Sequence, residues 1–334
     1  MHNETSWITI KPHLQPIESL LQDEEITNIE CNADGTVFVE KRGVRTKVDG
    51  VFFPEDKKRI GLQNISRLYG QDISTKKPYL TARLPDGSRI AAMSSRCSVG
   101  GHIFTIRRFP KSRFSLDDLE SFGAFPPHVG KILREAVASH LNLIFAGSTN
   151  SGKTTTINAL CAEIDDSERI LTIEDIPELR ISKPNVVQMQ ALEATELVTV
   201  TMRDLLKEAM RHNPTRIILG ELRSGEAYDF LQAMNTGHRG VITTIHSSSA
   251  KKTLNRLIDL VMQSGVPLPY EVIKTTIADA IDMVVFQERD EHTGKRRIAE
   301  VIRLHGIDEA TRAFEIEVLY SHHNEIHQLT THAA

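Results

Sequence analysis

A glycine-rich segment constrains the fold of this chain more than any other feature. Residues 147–154 read GSTNSGKT and match the pattern G-x-x-x-x-G-K-[ST] at every fixed position, between an apolar run at 143–146 and a helical segment from Thr154. A buried strand that enters such a loop and a helix that leaves it surround a phosphate with backbone N–H groups and the positive helix end. The segment therefore predicts an α/β fold built around a phosphate-binding loop.

The same loop predicts contacts to a bound nucleotide. The Lys153 side chain is expected to reach the β- and γ-phosphates of ATP, and the Thr154 hydroxyl is expected to ligate Mg²⁺. Glycines let the backbone curl tightly enough for its N–H groups to converge on the phosphate. The predicted nucleotide contacts are Gly147, Ser148, Thr149, Asn150, Ser151, Gly152, Lys153, Thr154 and Thr155.

Pattern and length predict two domains joined by a linker. The chain has 334 residues, enough for about two domains of average size. In residues 128–334 apolar strands alternate with helical segments, which is typical of a parallel sheet flanked by helices. Residues 1–112 mix short strands and helix and carry no catalytic motif of their own. Prolines and a short capped-helix signal predict that residues 113–127 form the linker.

One helix of the first domain is predicted from apolar spacing alone. Residues 56–69 place Ile60, Ile65 and Leu68 in a rough stripe at helical spacing. We therefore expect this stripe to face the core of the first domain.

Composition narrows the class of protein. The formal net charge is -4, which gives no reason to expect direct nucleic-acid binding. Cys31, Cys97 and Cys161 are far apart in sequence and are expected to be small buried apolar residues in a reducing compartment rather than metal ligands or disulfide partners. No apolar run approaches the ~18 residues that cross a bilayer, and the first residues lack a signal-peptide core. The expected location is cytoplasmic, with any membrane association made through partners.

Two acidic sites stand at the ends of predicted strands, where ligands of α/β sheets bind. Glu174 and Asp175 follow the strand 171–173, and Glu221 follows the strand 216–219. The second site is similar to a Walker B strand, although Gly220 occupies the position before the glutamate. Hydrolysis needs one carboxylate that orients water and one that holds Mg²⁺. We favour Glu174 as the base and Glu221 as the metal-linked acid, and the opposite division stays open.

Histidines and arginines supply further candidates. His246 ends the predicted strand 240–245 and would face the same crevice as the phosphate loop, where it could sense the γ-phosphate. His238 precedes that strand and is a second candidate. Arg203 and Arg211 lie on a predicted helix, where they are either structural or act across a subunit boundary as arginine fingers do.

Together these segments resemble the secretion-traffic ATPases of type II and type IV secretion, conjugation and pilus assembly. Four boxes follow one another in the order found in that family: the Walker A loop, an acidic box, a Walker B segment and a histidine box, at 147–154, 172–179, 211–223 and 236–246. The phosphate loop alone is shared by many nucleoside triphosphatases, whereas the ordered set is far more specific. The resemblance covers residues 20–305 and is nearest to the type IV secretion and conjugation branch or the pilus-retraction branch.

This resemblance carries further expectations. It implies a RecA-like P-loop ATPase core with a smaller α+β N-terminal domain, bound ATP and Mg²⁺, and a homo-hexamer. Segments 84–89 and 104–109 are similar to those that supply arginines to the nucleotide, which makes Arg89 and Arg107 candidate ligands. The implied partners are secretion or pilus proteins of the inner membrane, with the chain peripherally associated on the cytoplasmic side. Lys153, Glu174, Glu221 and His246 are the implied catalytic set, with Thr154 and Glu221 toward the metal and His238 toward the nucleotide.

Two other classes fit parts of the pattern. A RecA-like nucleic-acid motor would share the phosphate loop but would require a basic channel and DNA-stimulated turnover. A nucleotide-gated scaffold would bind ATP without hydrolysing it, which the presence of both Glu174 and Glu221 disfavours. Assays of phosphate release with and without DNA separate the three classes.

Overall fold

The computed structural model describes most of the chain, namely residues 7–41, 43–69, 71–73, 77–108, 114–192, 199–290 and 293–322. Internal contacts divide the chain into two units, Met1–Ser112 and Arg113–Ala334. Each unit has its own sheet and its own buried apolar core. Of the helices in the described ranges, none has the length and apolar character needed to cross a membrane.

The first unit is built on a six-stranded antiparallel sheet. In chain order its elements are a 3₁₀ helix (Lys11–Ile17), α1 (Glu18–Gln22), β1 (Ile26–Cys31), β2 (Thr36–Lys41), β3 (Val44–Phe52), α2 (Glu55–Leu68), β4 (Tyr79–Arg83), β5 (Arg89–Met93) and β6 (Ile103–Arg107). The strands lie in the order β3-β2-β1-β6-β5-β4.

Alternation along the strands separates a buried face of this sheet from a polar one. Ile90 on β5 and Phe104 and Ile106 on β6 are buried in the core of the first unit. Because successive side chains of a strand point to opposite faces, Arg89 and Arg107 belong to the other face. These two arginines are direct Cα partners in the antiparallel register of β5 and β6.

Helix α2 buries a different face from the predicted one. Ile60 and Leu68 are 44% and 45% exposed, so the predicted stripe is wrong at both positions. The buried face instead contains Lys58, Leu62 and Ile65, which repeat at helical spacing. Lys58 can be buried because its ammonium group donates hydrogen bonds to three backbone carbonyl oxygens. A charged residue in the core stripe therefore concealed the true periodicity.

The second unit alternates helices and strands along the chain. Its elements are α3 (Leu116–Ser121), α4 (Pro127–Ala138), β7 (Leu143–Gly147), α5 (Lys153–Cys161), β8 (Ile170–Glu174), β9 (Val186–Gln190), α6 (Met202–Ala209), a 3₁₀ helix (Met210–His212), β10 (Arg216–Leu222), α7 (Glu226–Asn235), β11 (Ile242–Ile245), α8 (Ala250–Met262), α9 (Tyr270–Ala280), β12 (Met283–Arg289), β13 (Arg296–Ile307) and β14 (Phe314–Ser321).

These strands form one eight-stranded sheet in the order β14-β13-β12-β7-β11-β10-β8-β9. The strands from β12 to β9 are parallel, and β13 and β14 are antiparallel additions at one edge. Ile144 and Ala146 of β7 belong to one apolar cluster, whereas Leu143 and Phe145 belong to the cluster on the opposite face. The sheet is therefore covered on both faces, which confirms the predicted α/β class with a parallel sheet.

Helix α3 lies within the segment 113–127. It begins at a capping box in which the Ser115 hydroxyl accepts from the Asp118 N–H and the Asp118 carboxylate accepts from the Ser115 N–H. Leu116 and Leu119 of this helix are buried in the core of the second unit.

Candidate active site

The phosphate loop has a backbone that only glycine accommodates at its first position. Gly147 ends the fully buried strand β7 with φ 153°, and a Cβ atom there would lie 2.1 Å from the carbonyl oxygen of Gln287. Gly152 has φ 100° and immediately precedes helix α5. Both positive φ values lie where L side chains are strained. The loop therefore curls between strand and helix as the motif predicted.

Two cations and one amide hold the loop. Lys153 is buried, and its Nζ donates to the carbonyl oxygens of Gly147 at 2.9 Å and Ser148 at 2.8 Å. From β13, Arg296 Nε donates to the Asn150 carbonyl oxygen at 2.8 Å. From β12, the buried side chain of Gln287 donates from Nε2 to the Thr156 hydroxyl of α5 at 2.8 Å. The loop and the first turn of α5 are thus tied to two neighbouring strands.

Sheet order brings the other candidates to the same edge as this loop. Strands β7, β11, β10 and β8 are consecutive neighbours and run parallel. Their carboxyl ends carry Gly147, His246, Glu221 and Glu174 respectively. The carboxyl edge of a parallel sheet is where α/β proteins bind ligands.

Glu174 is buried and held by backbone donors. Its side chain is 4% exposed, and Oε1 accepts from the N–H groups of Glu178 at 2.8 Å and Leu179 at 3.0 Å. On the next strand, a Cβ atom added at Gly220 would lie 3.0 Å from Glu174 Cγ. The glycine that replaces the usual Walker B aspartate therefore makes room for the Glu174 side chain.

Glu221 is engaged through both of its oxygens. Oε2 lies 2.8 Å from Nη2 of Arg223, and Oε1 lies 3.2 Å from Nε2 of His246. The same guanidinium reaches Asp175 Oδ2 through Nη1 at 2.9 Å. A continuous polar chain therefore joins the ends of β8, β10 and β11.

His246 connects this chain to the phosphate loop. Its Nδ1 lies 3.1 Å from the carbonyl oxygen of Gly147, the oxygen that also accepts from Lys153. Burial, followed by the positive charge of Lys153, lowers the pKa of His246 below its ordinary value, although Glu221 acts in the opposite direction. The neutral imidazole is therefore the favoured form at neutral pH.

Comparison with known proteins identifies the family. Residues 11–313 match the family described as "Type II/IV secretion system protein". The chain belongs to this family. It is 36% identical over 321 residues to the type IV secretion system protein VirB11 of Brucella suis, with 86% of this chain and 88% of that protein covered. It is 34% identical over 290 residues to the conjugal transfer protein TrbB of Rhizobium radiobacter, covering 86% of each. The resemblance drawn from the four sequence boxes is confirmed.

The solved structure of another protein shares the fold of this chain. The pilus retraction motor PilT with bound ADP superimposes with a TM-score of 0.58 at 21% identity, covering 96% of this chain and 88% of that chain. The predicted RecA-like P-loop core with a second α+β domain is thereby confirmed. At this identity the likeness concerns the fold.

The structure does not bring His238 to the phosphate loop of the same chain. The adjacent Arg239 contacts Asp282, and Gly240 donates to the His140 carbonyl oxygen. Those contacts lie just before β12 and β7 begin, so His238 lies at the amino edge of the sheet and His246 at the carboxyl edge. The two histidines of the predicted box are therefore separated by the length of a strand.

The predicted arginines fall into two groups. Arg203 forms an ion pair with the largely buried Asp229, and Arg211 pairs with Glu208 at 2.7 Å. Both therefore have partners within the second unit. Arg89 and Arg107 lie in the first unit as described above.

Three residues of the site escaped the sequence reasoning. Arg223 stands two positions after Glu221, and that proximity was the one available signal. Gln287 and Arg296 are more than a hundred residues from the phosphate loop in sequence. Only the pairing of β12 with β7 and of β13 with β12 places them against it.

Proposed function

We propose that this protein is a Mg²⁺-dependent ATPase that works as a homo-hexameric motor of a type IV secretion, conjugation or related pilus machine. It would act from the cytoplasmic side of the inner membrane, through membrane-bound partner proteins. The observation that carries the proposal is the convergence of the phosphate loop, Glu174, Glu221 and His246 at one edge of the sheet. Membership of the secretion family and the names of the relatives support the same function.

The loop residues would bind the triphosphate of ATP. Lys153 already donates to two carbonyl oxygens of the loop, so its ammonium group would exchange these acceptors for phosphate oxygens. The N–H groups at the start of α5 add their positive potential. Arg89 and Arg107 are assigned to the phosphates as well, on the family resemblance and on their adjacent places in the first unit.

The donor set suits Mg²⁺. Protein sites for this ion use one or two carboxylates together with substrate phosphates and water. Within the described ranges, no group of three or more histidine, cysteine, aspartate or glutamate side chains could enclose a metal by itself. Thr154 and Glu221 supply the hydroxyl and carboxylate oxygens that fit a shared site of this kind. When bound, the ion would neutralise charge on the phosphates.

The two glutamates would divide the work of hydrolysis. Glu174 is buried and fixed by two backbone donors, which suits a base that must hold one water in a constant orientation. Glu221 is more exposed and its carboxylate already binds cationic or polar partners, which suits a metal-linked acid. His246 spans Glu221 and the loop, so it is placed to report whether a γ-phosphate is present.

The decisive experiment is steady-state ATP turnover by the purified chain with Mg²⁺. Lys153→Ala is expected to abolish turnover, whereas Lys131→Ala, at an exposed lysine on α4, should leave it unchanged. Glu174→Gln and Glu221→Gln are each expected to retain nucleotide binding and to lose at least about 100-fold in kcat. Normal turnover by Lys153→Ala would refute the site.

Two further measurements test the assembly and the rival class. Light scattering in the presence of Mg²⁺ and ATP is expected to give six times the 37.5 kDa subunit mass. Added single- or double-stranded DNA should leave the turnover rate unchanged. Strong stimulation by DNA would instead favour a nucleic-acid motor.

A further inference from the structure

Arg223 joins the two acidic segments of the site. It follows β10 in the turn that leads into α7, and its side chain is about half exposed. One guanidinium nitrogen contacts Glu221 at 2.8 Å and another contacts Asp175 at 2.9 Å. Asp175 directly follows Glu174 in sequence. A single side chain therefore connects the end of β8 to the end of β10.

The backbone that carries Arg223 is itself pinned. The Glu226 carboxylate accepts from the N–H groups of Arg223 at 2.5 Å and Ser224 at 2.8 Å. The Ser224 hydroxyl also donates to Glu226 at 3.0 Å. These contacts restrict the turn, so the backbone from which the Arg223 side chain extends toward the two acids has a fixed position.

The contact to Arg223 also sets how Glu221 is oriented. Arg223 occupies Oε2, and Oε1 is left facing His246, whose other ring nitrogen contacts the phosphate loop. An arginine can satisfy this geometry because its planar fork presents separate N–H groups to two acceptors, whereas a lysine is a single point charge. Loss of the fork would free both Glu221 and the segment that begins at Asp175 to rotate.

We propose that Arg223 is a positioning residue for ATP hydrolysis, an inference that rests on the proposed function. Its contact with Glu221 fixes the metal-linked acid, and its contact with Asp175 fixes the segment that carries the candidate base Glu174. Because it would act through these two acids, its loss should lower kcat and leave KM for ATP nearly unchanged. Misplacement of catalytic groups by about 1 Å costs rates on the order of 100-fold.

The test uses steady-state kinetics of the full chain with Mg²⁺ and ATP. Arg223→Ala is expected to lower kcat by roughly 10- to 100-fold with KM within about twofold of wild type. Arg223→Lys should stay impaired because an ammonium group lacks the planar fork that presents two separated nitrogens to the two acids. Guanidinium ion at low millimolar concentration is expected to restore part of the kcat of Arg223→Ala.

A matched pair at the other edge of the sheet provides the control. Arg239 contacts Asp282 at 3.1 Å, with exposures close to those of Arg223 and Glu221. Arg239→Ala should retain wild-type kcat and should not respond to guanidinium. Both arginine pairs are substantially exposed, so melting temperatures should fall by no more than about 4 °C.

Asp175→Asn gives a second, nearly isosteric variant. It is expected to lower kcat by less than Arg223→Ala, and the double variant should be no slower than Arg223→Ala because both changes break one bridge.

Wild-type kcat in Arg223→Ala, full activity in Arg223→Lys, or a rise in KM that accounts for the whole loss would overturn the inference. If the wild-type chain does not hydrolyse ATP, or Lys153→Ala remains active, the proposed function itself fails.

Discussion

At the scale of single residues, His246 shows how competing electrostatic effects are resolved. Its two ring nitrogens face two acceptors, the Gly147 carbonyl oxygen and the Glu221 carboxylate, an arrangement that a protonated imidazole would satisfy. Burial and the nearby Lys153 charge nevertheless lower its pKa and outweigh the attraction of Glu221. Approach of a γ-phosphate would draw Lys153 away from the loop carbonyl. The effect of the Lys153 charge on the pKa of His246 would then be weaker.

This balance predicts a pH dependence of stability. Because the folded pKa of His246 lies below the ordinary value of 6.5, the unfolded state takes up the proton first as the pH falls. The histidine therefore contributes stability above pH 6.5 that is lost as the pH falls from that value through the lower folded pKa. In thermal melts between pH 8 and pH 5.5, wild type should lose more stability than His246→Gln. The opposite trend would mean that Glu221 keeps the folded imidazole protonated.

At the scale of elements, the site depends on how β7 passes into α5. The glycine at the end of β7 lies against the backbone of β12, and Gln287 of that strand also reaches Thr156 in α5. The curve of the loop is thus fixed by the packing of neighbouring strands as well as by its own glycines. A side chain at position 147 cannot be accommodated without moving one of these elements.

Gly147→Ala tests this arrangement. The added methyl group would lie 2.1 Å from the Gln287 carbonyl oxygen, so we expect a loss of about 1–3 kcal/mol in the free energy of unfolding. We also expect at least about tenfold weaker nucleotide binding, because the loop N–H groups would be displaced. Urea unfolding and titration with a fluorescent nucleotide measure the two effects. Gly237→Ala is the control, since Gly237 has φ +104° but open space around its Cβ position; equal weakening in this variant would contradict the steric explanation.

At the scale of the whole molecule, the residues proposed for hydrolysis and the two arginines proposed to bind phosphate belong to different units of the chain. The phosphate loop and both glutamates belong to the second unit, which has its own cores on both faces of its sheet. Arg89 and Arg107 belong to the first unit, where they stand side by side on neighbouring strands.

Division of the chain at residue 112 tests this separation. The fragment 113–334 is expected to fold cooperatively, because its cores lie within the second unit. It should hydrolyse ATP at least about tenfold more slowly than the full chain, since it lacks both arginines. Arg107→Ala in the full chain should show a loss in the same direction, which circular dichroism and phosphate-release assays can establish. Full activity of the fragment would exclude a contribution from the first unit.

The sequence by itself determined the phosphate loop, the α/β class of the second unit and the family. These features are local: a glycine-rich turn, an apolar run and an acid at a strand end are each read from adjacent residues. The same local reading failed for α2, because a buried Lys58 interrupted the apolar pattern while hydrogen bonds stabilised it in the core.

Only the tertiary structure established which of the predicted candidates lie together at the loop and which other residues join them. Strand order places His246, Glu221 and Glu174 beside the loop, whereas β11 itself separates the two histidines and leaves His238 at the opposite edge. It also brings Gln287, Arg296 and the arginine bridge to the loop and the acids. The physical reason is that hydrogen bonding between strands joins residues far apart in sequence, and no local pattern encodes which strands become neighbours.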